Sequence, residues 1–260
     1  MRLIVLGAGS IVPTPYRFGS GHYVEAGEIK LLLDCGPGVL EKMRSLSLSP
    51  FKLTAVLLTH FHIDHVSDIF PLLKLRAFTP EGLPNRSPDE LRIFGPRGLK
   101  RFLGTLIDNN EFFSYVKTLM RYESYTSLEE VEPWGVYEFG GVRLTSAPAK
   151  HDGGVAYRID FGGVSLVYSG DTAYSEDLVK LAKGVDVLVH ECSFPHERIV
   201  GQHVSEVELA RIVAQVRPET VVVTHLYPIW EGEEHKLVST LEQSYRCRVV
   251  VARNGTELTI

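Results

Sequence analysis

Short apolar runs recur along the chain, each ending near a Gly, Asp or His: residues 2–6, 30–33, 55–59, 164–169, 185–189 and 220–224. They are rich in Val, Ile and Leu at consecutive positions, the pattern of strands buried on both faces. Between them, residues 66–78 and 98–107 carry helical spacing. Ser175 is placed to open a helix that bears Glu176 and Asp177 in its first turn and stops at Gly184. Ser205 and Glu208 have the spacing of a capping box, and the helix they begin ends before Pro218. A last helix is expected over 236–245, and residues 248–260 read as a hairpin turning at Asn254-Gly255. Strands alternating with helices give an α/β fold.

A faint internal echo refines this. Leu31-Leu32-Leu33-Asp34 is followed by a strand ending at His60, and Leu166-Val167-Tyr168-Ser169-Gly170-Asp171 by one ending at His190. Two similar halves facing each other would produce it. Residues 79–133, with Pro80, Pro84, Pro88 and Pro96, are the most irregular stretch and read as a lid or a surface connection.

Composition narrows the class. The chain has 260 residues, 44% hydrophobic and 23% charged, the balance of an ordinary globular protein. We read residues 1–260 as a single domain with a core large enough to need no disulfide. Cys35, Cys192 and Cys247 form no Cys-X-X-Cys and read as reduced thiols. No apolar run approaches the roughly 18 residues that span a bilayer, so no membrane partner is expected. The opening segment reads as a strand rather than a leader, which favours the cytoplasm. The net charge of −5 indicates no general basic face for nucleic acid, although a patch beside a metal pair can hold phosphate.

The densest chemistry is Thr59-His60-Phe61-His62-Ile63-Asp64-His65, directly after a strand. In an extended turn alternate residues point the same way, so His60 and His62 can share one cation while Asp64 and His65 turn toward a second. Imidazole and carboxylate together suit zinc and similar divalent ions. Further ligands are required, and His151, Asp171 and His225 stand at or just beyond strand ends. Gly170 permits a tight turn, which lets Asp171 approach closely enough to bridge two ions. Gly7-Ala8-Gly9 lacks the third glycine of a dinucleotide loop, since Val12 holds that place and Pro13 follows. His22, His196 and His235 have no ligand-like partners in sequence and read as exposed or hydrogen-bonded histidines.

Taken in order, His-X-His-X-Asp-His, His151, Asp171 and His225 make the chain resemble the metallo-β-lactamase-fold hydrolases over nearly its whole length. The resemblance implies a four-layer αββα sandwich with two divalent ions, zinc or alternatively manganese, about 3.5–4 Å apart and sharing a hydroxide. It implies that His60, His62 and His151 hold one ion, that Asp64, His65 and His225 hold the other, and that Asp171 bridges them. It gives Asp34 the task of orienting a ligand histidine. A homodimer is expected on the same ground.

The narrower resemblance is to the ribonuclease Z-like branch. It rests on Leu6-Gly7-Ala8-Gly9-Ser10 with Pro13-Thr14-Pro15, on His190-Glu191-Cys192-Ser193-Phe194, and on His203-Val204-Ser205. It implies a phosphodiester substrate, RNA or a small diester, with His203 protonating the leaving group, Glu191 orienting it, and Asp64 taking the proton of the attacking water. The residues agree in part, because a carboxylate beside His203 favours its protonated form. Members that process transfer RNA often carry a long arm between the motifs matched by His151 and Asp171, whereas here only residues 152–170 intervene. Hydrolysis of lactones, thioesters or sulfate esters on the same metals is the alternative, and a metal-binding regulator without catalysis is a third reading.

Overall fold

The computed structural model describes residues 1–108, 111–113 and 122–260. The first half contains β1 (Arg2–Gly7), β2 (Gly21–Ala26), β3 (Ile29–Leu33), α1 (Val39–Ser45), β4 (Ala55–Leu57), α2 (Ile63–Val66), α3 (Ile69–Arg76), β5 (Leu91–Gly95), α4 (Leu99–Leu103) and β6 (Thr126–Glu130). The second contains β7 (Val136–Phe139), β8 (Val142–Pro148), β9 (Val155–Phe161), β10 (Val164–Tyr168), α5 (Glu176–Ala182), β11 (Val187–Glu191), α6 (Glu206–Val216), β12 (Thr220–Thr224), α7 (Glu234–Ser244), β13 (Arg248–Val251) and β14 (Glu257–Thr259).

The strands form two seven-stranded sheets, ordered β14-β1-β2-β3-β4-β5-β6 and β13-β12-β11-β10-β9-β8-β7. The continuous apolar runs are explained by burial on both faces. In β3, Leu31 and Leu33 enter the core between the sheets, where they join Tyr157, Ile159, Leu166 and Val189 from the opposite sheet. Leu32, pointing the other way, packs with Val39 and Met43 of α1 and Leu72 and Leu73 of α3. On the far side, Val167, Leu188 and Val221 lie against Leu178 of α5, Leu209 and Val213 of α6, and Leu237 and Leu241 of α7. Helices, sheet, sheet and helices make the four-layer αββα sandwich.

The echo between the halves is a pairing rule. β3 pairs β4 in parallel, and β10 pairs β11 in parallel. The capping box at Ser205 is present, with the Ser205 side chain accepting from the Glu208 amide. Ser175 occupies the N-cap of α5 but makes no side-chain cap bond.

Three expectations need correction. Residues 248–260 are not a hairpin: β13 runs parallel to β12 in one sheet, and β14 pairs antiparallel with β1 in the other. Asn254-Gly255 lies in the crossing, where the Asn254 amide oxygen accepts from the backbone amides of Ala8 and Phe18. Residues 79–133 are more regular than their prolines suggest, since β5 and β6 extend the first sheet in parallel. The helix expected at 66–78 is the shorter α3, which begins at Ile69 after α2 has ended at Val66; Asp68, just before it, accepts from the Leu40 amide with its carboxylate. Residues 152–170 form the β9–β10 hairpin, which turns at Gly162-Gly163 and leaves no room for a protruding arm.

Candidate metal centre

The histidine-rich segment leaves the end of β4 and enters α2, while His151 follows β8, Asp171 follows β10 and His225 follows β12. Two backbone features bring these ends together. Gly170 has φ 56°, and a Cβ there would lie 2.6 Å from Thr59 Cβ, so only glycine lets the Asp171 loop close onto the motif. His225 adopts φ 55°, a conformation unfavourable for an ordinary side chain, at a site where strain serves placement.

His60, His62, His151 and Asp171 each offer one ligand atom within 4.8 Å of the others, and so do Asp64, His65 and His225. Asp171 lies between the two groups, its carboxylate oxygens 3.3 Å from His65 Nε2 and from His225 Nε2. His203 also comes within 4.8 Å of Asp171 and His225 in ligand-atom distance.

Each imidazole is oriented through its other nitrogen. His60 Nδ1 meets Thr59 Oγ1 at 3.0 Å, His62 Nε2 meets Asp152 at 2.9 Å, and His65 Nδ1 donates to Asp34 at 2.7 Å. His151 Nδ1 donates to the Gln202 carbonyl at 3.1 Å, and His225 Nδ1 meets Ser193 Oγ at 2.9 Å. Five rings are therefore locked with one nitrogen turned inward, the arrangement a cation needs.

Of the inward atoms, His62 Nδ1 meets His151 Nε2 at 3.2 Å and His225 Nε2 meets Asp64 at 3.4 Å, but others have no hydrogen-bond partner among the described residues. His60 Nε2, His65 Nε2 and Asp171 Oδ1 are buried without a hydrogen bond. Among the described residues no Lys or Arg pairs with Asp34, Asp64, Asp171 or Glu191, although all four carboxylates are buried. Buried charge on this scale requires a counter-charge. The titration pattern agrees. Burial works to lower His65, yet Asp171 and Asp34 hold its ring well above the ordinary imidazole range. Burial also opposes ionisation of Asp64, but His225 and His65 draw it below the usual carboxylate range. Burial drives His60 down. The residues present thus fit a divalent metal, which would replace the protons that the carboxylates attract.

A second network adjoins the cluster. Glu191 Oε1 accepts from His203 Nδ1 at 2.9 Å and from the Thr172 amide at 2.8 Å. Ser193 Oγ touches Glu191, His203 and His225, tying the two networks together. Burial works to lower His203, but the hydrogen bond and charge of Glu191 outweigh it and raise the ring.

A family profile described as "Beta-lactamase superfamily domain" matches residues 30–226. The chain belongs to the β-lactamase superfamily. The ribonuclease Z of Mycobacterium marinum is 30% identical over 257 residues, which cover 90% of this chain and 89% of that protein. Among solved structures, the metallo-β-lactamase fold protein YhfI of Bacillus subtilis superposes with TM-score 0.81 at 23% identity, covering 99% of this chain and 98% of that one. The short form of human tRNase Z superposes with TM-score 0.78 at 18% identity, covering 100% of this chain and 99% of that one. The protein is a metallo-β-lactamase-fold, metal-dependent hydrolase of the ribonuclease Z-like branch.

Several members of this hydrolase's site are absent from the sequence reading. Asp152 holds His62, and its only signal is its place after His151. Ser193 joins three functional groups from within the string already noted at Glu191. Tyr168 donates to Asp34 at 2.7 Å and gives no signal in a strand that reads as plain core. His22 is a correction: it is fully buried, neither ring nitrogen is bonded, and its ring packs 4.9 Å from that of Tyr168. Burial pushes it down to about 3, so it stays neutral in the core. His190 is the penultimate residue of β11 rather than its end; its Nδ1 bonds the Glu191 carbonyl and it stays outside the cluster.

Proposed function

We propose that this hydrolase is a dinuclear phosphodiesterase acting on RNA or a small phosphodiester. His60, His62 and His151 would hold one ion and Asp64, His65 and His225 the other, with Asp171 between them. Zinc suits this donor set and manganese is the alternative. When bound, such ions supply a hydroxide at neutral pH and offset charge on the phosphoryl oxygens.

The observation that carries the reading is the Glu191–His203 pair beside the cluster, at 2.9 Å. A metal cluster alone serves many esters, whereas a buried carboxylate holding a proton on an adjacent imidazole serves a poor alkoxide leaving group. Nδ1 of His203 is committed to Glu191, which leaves Nε2 to protonate the departing oxygen. Asp64 stays ionised and accepts the proton of the attacking water. Asp34 and Asp152 orient His65 and His62.

Hydrolysis of bis(p-nitrophenyl) phosphate by zinc- or manganese-loaded protein, against a chelator-treated control, tests the reading. Metal-dependent turnover is expected. No turnover from protein that demonstrably binds metal would redirect the assignment to carboxylic or sulfate esters.

A further inference from the structure

Beside the cluster lies a cleft of about 520 Å³ that none of the proposed catalytic residues occupies. It shares Asp152 with the metal centre, where that carboxylate is engaged by His62 at 2.9 Å. Its wall is Phe61, the residue between two motif histidines, stacked on Phe102 with ring centroids 4.8 Å apart and planes 17° from parallel. Its rim carries Arg97 and Arg101, both exposed. Neither guanidinium has an ion pair or hydrogen bond among the described residues. The Glu130 carboxylate pairs with neither guanidinium; its Oε1 accepts from the Gly98 and Lys100 amides at 3.1 Å. Gly153 leaves the side toward the cluster low, since a Cβ there would meet nothing within 4 Å.

The cleft thus combines an aromatic wall with two guanidiniums that have no partner among the described residues, on a chain of net charge −5, a combination that suits an anion. Guanidinium binds phosphate with paired hydrogen bonds, and an aromatic wall receives a base without reading its identity. We propose that this cleft holds the single-stranded nucleic acid flanking the scissile bond, with Arg97 and Arg101 on backbone phosphate and Phe61 and Phe102 against a base. The inference rests on the phosphodiesterase reading and specifies its substrate as a strand longer than one diester.

The test is binding of a fluorescein-labelled single-stranded RNA of about ten nucleotides to zinc-loaded protein, followed by anisotropy across a salt series. The Arg97→Ala/Arg101→Ala variant is expected to bind about tenfold or more weakly. Its log Kd against log salt should be shallower by about 1.4, because roughly 0.7 is lost per phosphate contact on a single strand. Arg97→Lys/Arg101→Lys should restore the slope. Both positions are exposed, and an unchanged thermal melt shows that the variants are folded.

Affinity and slope unchanged in the double alanine variant, or no RNA binding by the parent protein, would overturn the proposal. So would tighter binding of a poly-glutamate peptide than of the RNA. Turnover of bis(p-nitrophenyl) phosphate by the parent protein separates the two readings. If the small diester is hydrolysed while the variant binds RNA like the parent, the cleft assignment fails alone. If it is not hydrolysed while the variant loses RNA and slope, the cleft stands and the catalytic reading fails.

Discussion

Replacing Asp34 by Asn tests whether the metal centre depends on a residue that does not face it. Asp34 has φ 56°, a conformation Asn tolerates, so the substitution leaves the backbone unstrained. Its Oδ1 accepts from the Thr59 amide at 2.7 Å, and its Oδ2 accepts from His65 Nδ1 and Tyr168 Oη, each at 2.7 Å. Asn has one oxygen and one amino group, so a donor must face a donor on one side. If the amino group turns to Thr59, a buried backbone N–H loses its acceptor, a cost of about 1–3 kcal/mol. If it turns to His65, that ring must offer its Nδ1 lone pair and carry its proton on Nε2, the nitrogen aimed at the cluster. Loss of such an orienting partner typically weakens metal binding about 10–100-fold, or roughly 1.4–2.7 kcal/mol. Zinc affinity, measured by competition with a chromophoric chelator, should fall by that factor. The metal-free protein should melt several degrees lower. Zinc affinity within about twofold of the parent, with only the melt lowered, would refute the orienting role and leave Asp34 a structural residue.

The other variants probe the cluster and the proton donor. Asp171→Ala removes the carboxylate between the two ligand groups, so bound metal measured by atomic absorption and turnover should both be lost; full metal content would remove Asp171 from its proposed place. His203→Ala should keep its metal and slow cleavage of an RNA diester, whose alkoxide leaving group needs a proton, about 10²–10⁴-fold, the usual share of a general acid, with a smaller loss on bis(p-nitrophenyl) phosphate. Loss of metal instead would make His203 a ligand, as its distance to Asp171 and His225 allows. Glu191→Gln tests the pH dependence. His203 donates only while protonated, so turnover falls as pH rises through its pKa. Glu191 raises that pKa, and its neutralisation should shift the alkaline limb of kcat to lower pH; an unmoved limb would assign the limb to another group.

How much of this was legible follows from what each residue answers to. The strands read well because β3, β10, β11 and β12 are buried on both faces and leave continuous apolar runs. The strand β2 did not, since Gly21-His22-Tyr23-Val24-Glu25-Ala26 mixes in polar residues and His22 is nevertheless buried without a partner. The tail failed for a different reason. Asn-Gly is a strong local hairpin signal, but β13 and β14 find partners in different sheets, and Asn254 instead satisfies amides of the opening loop. The cluster was legible because its donors occur at strand ends in close spacing. Its support was not, because Tyr168 and Ser193 act through contacts with residues distant in sequence.

The proposed ligands are divided between the two sheets. The His60–His65 segment follows β4 of the first sheet, while His151, Asp171 and His225 follow strands of the second. A cation held by both groups would therefore join the two sheets. Beneath it the same seam is closed by the protein alone: Asp34, just after β3, accepts from Tyr168, the last residue of β10, and Tyr168 also bonds Ser20. Donor positions are thus set by sheet-to-sheet packing, which is dense and resists displacement. Some of the local irregularities lie at this seam, among them left-handed backbone at Asp34 and His225 and buried atoms without a hydrogen bond on His60, His65 and Asp171. Such departures persist only where the surrounding structure over-determines them, and here loops from two sheets converge on one cluster of His and Asp side chains.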